Sequence, residues 1–134
     1  MTTYVDSSAL LKRYVAEEDS AVADALLGAD AALVTARHTL VEVRRNLARL
    51  LAGEDLAQAR AALAGDLGAL SIIELDADTC QAAASIAETS GVRTLDALHL
   101  AAAQRVAEPG LRFLTFDIRQ GAAARALGLD VVPA

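Results

Sequence analysis

The stretch TYVDSSALLKRYVAEE, residues 3–18, decides the fold. It opens with a short apolar run, TYVD (3–6), which has the length and composition of a buried strand and ends in Asp6. The next twelve residues, SSALLKRYVAEE (7–18), carry the spacing of an amphipathic helix. An aspartate between the two suits an N-cap, because its carboxylate can accept a hydrogen bond from an otherwise orphaned amide of the first helical turn. The same position, at the end of a strand, is also where open α/β sheets place their chemistry.

Strand and helix patterns alternate through the remaining sequence. SAVADALLG (20–28) reads as a helix stopped by Gly28, and AALVT (31–35) as a strand. LVEVRRNLARLLAG (40–53) places Leu40, Val43, Leu47 and Leu50 on one helical face and ends at Gly53. DLAQARAALAGDLGAL (55–70) is helical, with Gly65 and Gly68 weakening its end, and SIIEL (71–75) is strand-like. DADTCQAAASIAETSG (76–91) has capping residues at its start and Gly91 beyond its end. The predicted order closes with a helix (94–108), the strand RFLTF (112–116), a helix (117–128) and a short strand (130–133). This alternation predicts an α/β sandwich around a mainly parallel sheet. No repeat, linker or charge block divides residues 1–134, so a single domain is expected.

Composition narrows the classes. An apolar fraction of 54% fits a well-packed interior, but aromatics at 3% leave the core to Ala, Leu and Val and disfavour base stacking on aromatic platforms. A net charge of −6 argues against non-specific coating of nucleic acid, while leaving room for an enzyme that gathers cations in an acidic pocket. With Cys80 as the only cysteine, neither an internal disulfide nor a cysteine-based zinc site is available, which fits a reducing cytoplasm. No run of 18 apolar residues suggests a membrane span, and no basic leader with an apolar core is visible.

Four carboxylates fall at predicted segment edges: Asp6 and Asp117 after strands, Glu42 early in the helix after the second strand, and Asp96 in the first turn of a later helix. Singly, each has an ordinary role as a cap, a partner of the helix dipole, or an ion-pair partner of Arg45 or Arg49. Together they converge if helix starts line one edge of the sheet. Two carboxylates about 6 Å apart repel by roughly 3 kcal/mol at an effective dielectric near 20. Four would therefore raise some pKa values or recruit a divalent cation. An all-oxygen set suits Mg²⁺ or Mn²⁺, and such ions take phosphate oxygens and activate water for phosphodiester hydrolysis.

With those residues in view, the sequence resembles the PIN-domain ribonucleases, in particular the VapC-type toxins of bacterial toxin–antitoxin pairs. The resemblance runs from YVDSSALLKRY through LVTARHTLVEVRRNLARL and RTLDALHLAAA to FLTFDIRQGAAARALGLDVVP. It implies a PIN-like three-layer α/β/α sandwich with five mainly parallel strands in the order 3-2-1-4-5. It further implies a Mg²⁺ or Mn²⁺ site and endonucleolytic cleavage of RNA in the cytoplasm. The expected assembly is a homodimer, becoming a heterotetramer or larger with a cognate antitoxin. Carried over position by position, the metal-site and catalytic residues are Asp6, Glu42 and Asp96, with Asp117 at a more variable position. Ser8 and Thr115 match small hydroxyl positions that support such a site; a helix cap and ordinary strand propensity explain them equally well.

Other residues have less specific readings. Arg37, Arg44, Arg45 and Arg49 could bind an RNA backbone or orient Glu42, and a solvated helix face explains them as well. Arg93 stands just before the Asp96 helix, where it could meet a phosphate. His99, one turn after Asp96, could pair with it as a base with its orienting acid, but it reads as a partly buried structural residue, as does His38, four residues before Glu42. Leu10, Leu11, Tyr14 and Val15 could help form an antitoxin groove, and core packing of the first helix is the simpler reading. Two other enzyme or signalling classes fit less well. A haloacid-dehalogenase-like phosphatase wants a second Asp where Ser8 stands, and a phospho-acceptor receiver domain wants a late lysine, but none follows Lys12. A catalytically silent PIN fold that acts only through its partner is the remaining alternative.

Overall fold

The computed structural model describes residues 2–30, 32–106 and 108–134. Ala31, within the predicted second strand, and Ala107, within the predicted helix 94–108, lie outside the described residues. Five strands form one parallel sheet: β1 (Thr2–Val5), β2 (Ala32–Ala36), β3 (Ser71–Ile73), β4 (Arg112–Leu114) and β5 (Asp130–Val132). Their order across the sheet is β3-β2-β1-β4-β5, so β1 is the central strand. Its residues TTYV are buried throughout, as befits a parallel strand covered on both faces.

The pleat divides the core into two layers. In β1, Tyr4 packs with Phe113, Leu100, Ile86 and Ala103 on one face, while Val5 packs with Leu10, Val43, Leu47 and Leu63 on the other. Phe113 and Leu114 of β4 alternate in the same sense. Helices α1 (Ser7–Leu11), α2 (Ser20–Ala29), α3 (Thr39–Leu50) and α4 (Gly53–Ala69) supply the second layer, and α5 (Ala77–Ser90), α6 (Thr94–Val106) and α7 (Ile118–Ala126) the first. This is the expected three-layer α/β/α sandwich.

Several predicted boundaries move. The first helix stops at Leu11 instead of residue 18, because amides 13 and 14 tighten to partners three residues back. Tertiary contacts hold that turn: the Lys12 ammonium lies 2.7 Å from Asp19, and Tyr14 donates to Asp66 at 2.6 Å. Gly28, Gly65 and Gly68 end nothing; all three sit inside helices whose buried anchors, Leu27 and Leu63, continue the packed face. Gly53 opens α4 with φ of 58°, so the turn between α3 and α4 uses the left-handed backbone that glycine permits. Gly91 caps α5 in that same region, as its position predicts. On α3, Val43 and Leu47 are fully buried, but Leu50 is exposed and not part of the apolar face. Strands β3 and β4 end two residues earlier than predicted, so Thr115 leaves the strand, although its amide still donates to Val132 O at 3.1 Å.

Candidate active site

Because every strand runs the same way, Asp6 after β1 and Asp117 after β4 stand at one edge of the sheet. Asp6 has extended backbone (φ −82°, ψ 173°) and caps α1, accepting from the Ala9 amide at 3.1 Å. Its own amide donates to Leu114 O, which ties the start of α1 to the neighbouring strand. Ser8 donates to Asp6 Oδ1 at 2.7 Å and accepts from the Phe116 amide at 3.0 Å. Ser8 lies in the first turn of α1, so helix geometry rather than a continued strand carries it there. Only 3% of Asp6 is exposed. Burial pushes its carboxyl above the ordinary carboxylate range, despite the opposing influence of His99, Ser8, Thr115 and the Ala9 amide.

Asp117 caps α7 through the Gln120 amide at 3.1 Å, and its own amide donates to Thr115 Oγ1 at 3.1 Å. Thr115 Oγ1 is 3.3 Å from Ser8 Oγ, so the two hydroxyls join the Asp6 and Asp117 segments. Asp96 lies in the first turn of α6 and is brought to Asp117 in two ways. Gln120 Nε2 donates to the Asp96 carbonyl at 3.0 Å, and the Arg93 guanidinium spans both carboxylates at 3.3 and 3.5 Å. Burial raises the Asp96 carboxyl; Arg93 opposes the rise and the charge of Asp117 adds to it.

Glu42 is held differently. Its Oε1 accepts from Ser7 Oγ at 2.6 Å and sits 2.7 Å from His99 Nε2, with His38 Nε2 3.5 Å away. His99 Nδ1 is 2.7 Å from the Tyr4 hydroxyl. Burial, then the charge of Asp6, pushes the Tyr4 phenol far above its usual range, so the hydroxyl keeps its proton. Nε2 of His99 donates to Glu42, since an ionised carboxylate can only accept. Burial raises the Glu42 carboxyl, but the donors from His99 and Ser7 outweigh it and the net direction is down.

Asp6, Asp96 and Asp117 are thus joined through Ser8, Thr115, Gln120 and Arg93, while Glu42 is tied to His99. His99 lies within electrostatic reach of Asp6, Glu42 and Asp96 alike. The arginines of residues 37–49 do not orient Glu42: Arg37 pairs with Glu74 and Arg49 donates to Asn46, while Arg44 and Arg45 are exposed. His99 is 1% exposed and engages Glu42, not the Asp96 on its own helix. Its structural reading in the sequence therefore understates it, and Tyr4, Ser7 and Gln120 are not singled out there at all. For Gln120 a signal existed: Asp-x-x-Gln is the spacing of a capping box, although here the amide reaches Asp96 instead of its own cap.

His38, Glu42 and His99 each offer a ligand atom within 4.8 Å of the others. The 2.7 Å between His99 Nε2 and Glu42 Oε1 is a hydrogen-bond distance, shorter than the roughly 3.3 Å kept by two ligands of one tetrahedral zinc. Beside Asp96 a depression opens, lined by Val92, Arg93, Asp96, Arg119 and Ala122.

The PIN domain family matches residues 3–126. Ribonuclease VapC45 of Mycobacterium tuberculosis is 37% identical over 137 residues, spanning 98% of this chain and 94% of that protein. The crystal structure of VapC20 of Mycobacterium tuberculosis, described as a sarcin-ricin loop cleaving toxin, shares the fold with a TM-score of 0.75 at 18% identity, covering 90% of this chain and 94% of the other. VapBC-5 of the same organism, a member of the VapBC family of toxin–antitoxin systems, aligns over 99% of this chain and 98% of the other at 22% identity and a TM-score of 0.67. The chain belongs to the PIN-domain family, among its VapC-type members.

Proposed function

We propose that this protein is a divalent-metal-dependent endoribonuclease, the toxin of a toxin–antitoxin pair. One observation supports the reading: Asp6, Asp96 and Asp117 are joined through Ser8, Thr115 and Arg93, and His99, which is hydrogen-bonded to Glu42, acts electrostatically on Asp6 and Asp96 as well. The donor set fits a hard divalent cation, since it is rich in oxygen and two of its carboxyls are pushed up by burial with too little positive charge nearby. These four residues would hold Mg²⁺ or Mn²⁺, which when bound supplies water activation and charge stabilisation for phosphodiester hydrolysis.

The chain's own groups prepare that site. Ser8 fixes the Asp6 carboxylate, Thr115 orients the backbone at Asp117, and Gln120 locks the start of α6 to the start of α7. Arg93 and Arg119 border the depression beside Asp96, where their forked donors suit an RNA phosphate. The similarity to ribonuclease VapC45 supports RNA as substrate, and the similarity to VapBC-5 supports an antitoxin partner. The homodimer, and its heterotetramer or larger assembly with the antitoxin, extend this reading from the family resemblance.

The test is cleavage of a cellular RNA pool by the purified chain, freed of partner, with Mg²⁺ or Mn²⁺. Cleavage is expected to disappear with chelator and with Asp96→Asn. RNA left intact in both metals by correctly folded protein refutes the nuclease reading.

A further inference from the structure

We propose that His99, backed by Tyr4 of the central strand, is a positioning residue that occupies Oε1 of Glu42, so that Glu42 reaches a cation through Oε2 alone. The inference rests on the metal site proposed above, but concerns how one ligand is presented and which residues outside the acidic set control it.

Oε1 of Glu42 is saturated: it takes donors from Ser7 Oγ at 2.6 Å and His99 Nε2 at 2.7 Å. Among the described residues no hydrogen bond reaches Oε2. His99 cannot turn away, because it is 1% exposed, its Nδ1 is hydrogen-bonded to the Tyr4 hydroxyl at 2.7 Å, and the Tyr4 ring stacks on Phe113 with centroids 5.3 Å apart. The relay therefore runs from the β1–β4 pair, through a ring of α6, to a carboxylate on α3. It sets the rotation of the carboxylate plane, which an unaided glutamate on a helix lacks.

A chelating carboxylate would spend two coordination positions on Glu42. A one-oxygen ligand spends one, leaving more positions for water and phosphate oxygens, as small octahedral cations require. Outer partners of this kind tune metal affinity by roughly ten- to a hundredfold when removed. The companion histidine contributes less, since His38 Nε2 is 3.5 Å from Oε1 and nearer the Leu95 carbonyl at 3.0 Å.

The experiment measures Mn²⁺ binding to the full-length protein without RNA, by calorimetry and by the electron-spin signal of free Mn²⁺. Thermal unfolding of each variant is recorded in parallel. His99→Leu is expected to weaken Mn²⁺ binding about tenfold or more, and His99→Gln, which can keep an N–H donor near the Nε2 position, to restore most of it. Tyr4→Phe removes one hydroxyl only and should weaken binding by a smaller factor, which keeps the test usable if His99→Leu does not fold. Wild-type affinity in folded His99→Leu, or in Tyr4→Phe together with His99→Gln as weak as His99→Leu, overturns the positioning role. An unaltered chain that binds no Mn²⁺ overturns the metal-site reading and this inference with it, whereas unchanged affinity in the variants sinks this inference alone.

Discussion

The acidic cluster has two unlike halves. Around Glu42 the partners are buried and short-ranged: Ser7, His99 and, behind it, Tyr4, none of them more than 9% exposed. Around Asp96 and Asp117 the main counter-charge is Arg93, whose side chain is 76% exposed and whose contacts are 3.3 and 3.5 Å long. Asp6 lies between, buried and capping a helix, with hydroxyl and amide donors that only partly offset its burial. The difference is one of preorganisation. Donors fixed by the core hold a carboxylate in place at no further entropic cost, while an exposed guanidinium can leave as a ligand arrives.

The largest effect should come from the residue between the halves. Asp6→Asn keeps an oxygen for the Ala9 amide and for Ser8, so the cap survives, but it removes a charge. RNA cleavage is expected to fall at least a hundredfold, about 2.7 kcal/mol in barrier, in assays of metal-dependent turnover. Stability should move the other way. The folded Asp6 pKa is raised above the model-peptide value of 3.8, so ionisation disfavours the fold. This penalty is absent below pH 3.8 and grows as pH rises through the folded pKa. Metal-free Asp6→Asn should therefore be more stable than wild type at pH 7 but not at pH 3, as urea unfolding at the two pH values would show. A variant destabilised at neutral pH would mean that Asp6 serves the cap more than the cation.

How much of this was legible in the sequence follows from the same division. The strands and the edge carrying Asp6 and Asp117 could be read, because apolar runs alternating with helical periods leave few topologies for a parallel sheet. Asp96 and Glu42 could be placed near that edge by their position at helix starts. The turn after Leu11 could not, since it depends on Lys12 finding Asp19 and Tyr14 finding Asp66 far along the chain. Nor could the Tyr4–His99–Glu42 relay. Strand alternation puts Tyr4 and Val5 on opposite faces, but it does not say which face meets α6. The i+3 spacing of Asp96 and His99 offered at most a pair within one helix, behind a structural reading, whereas packing turned the imidazole towards α3.

A smaller effect tests the buried half. His38 is 7% exposed, and its Nδ1 is buried without a hydrogen-bond partner. Burial, reinforced by His99, lowers its pKa from 6.5 to about 4. A histidine with a depressed folded pKa costs nothing above pH 6.5; as pH falls from there towards 4, the unfolded chain takes up the proton first and stability is lost. The loss attributable to this group is roughly 3 kcal/mol once pH reaches about 4. His38→Gln, which can still donate to Leu95 O, should flatten the acid limb of the stability profile by that order. A wild-type and a variant profile that fall in parallel would mean the proton is accommodated, and that the Glu42 half is less rigid than its hydrogen bonds imply.

The smallest effect belongs to the exposed half. Arg93→Ala removes two long, solvent-screened ion pairs, and such pairs contribute about 0–1 kcal/mol. Unfolding by urea should therefore shift by less than about 1 kcal/mol at pH 7. The site itself should respond in the opposite sense to its stability. Arg93 opposes the rise of the Asp96 carboxyl, so without it that carboxyl should titrate higher in the metal-free protein. A guanidinium lying across Asp96 and Asp117 also competes with any cation those carboxylates would bind. Removing it should leave Mn²⁺ affinity unchanged or a few-fold tighter, while RNA binding weakens if the side chain turns to phosphate. A large loss of stability, or a loss of Mn²⁺ affinity matching that expected for His99→Leu, would place Arg93 among the fixed supports and erase the contrast between the two halves.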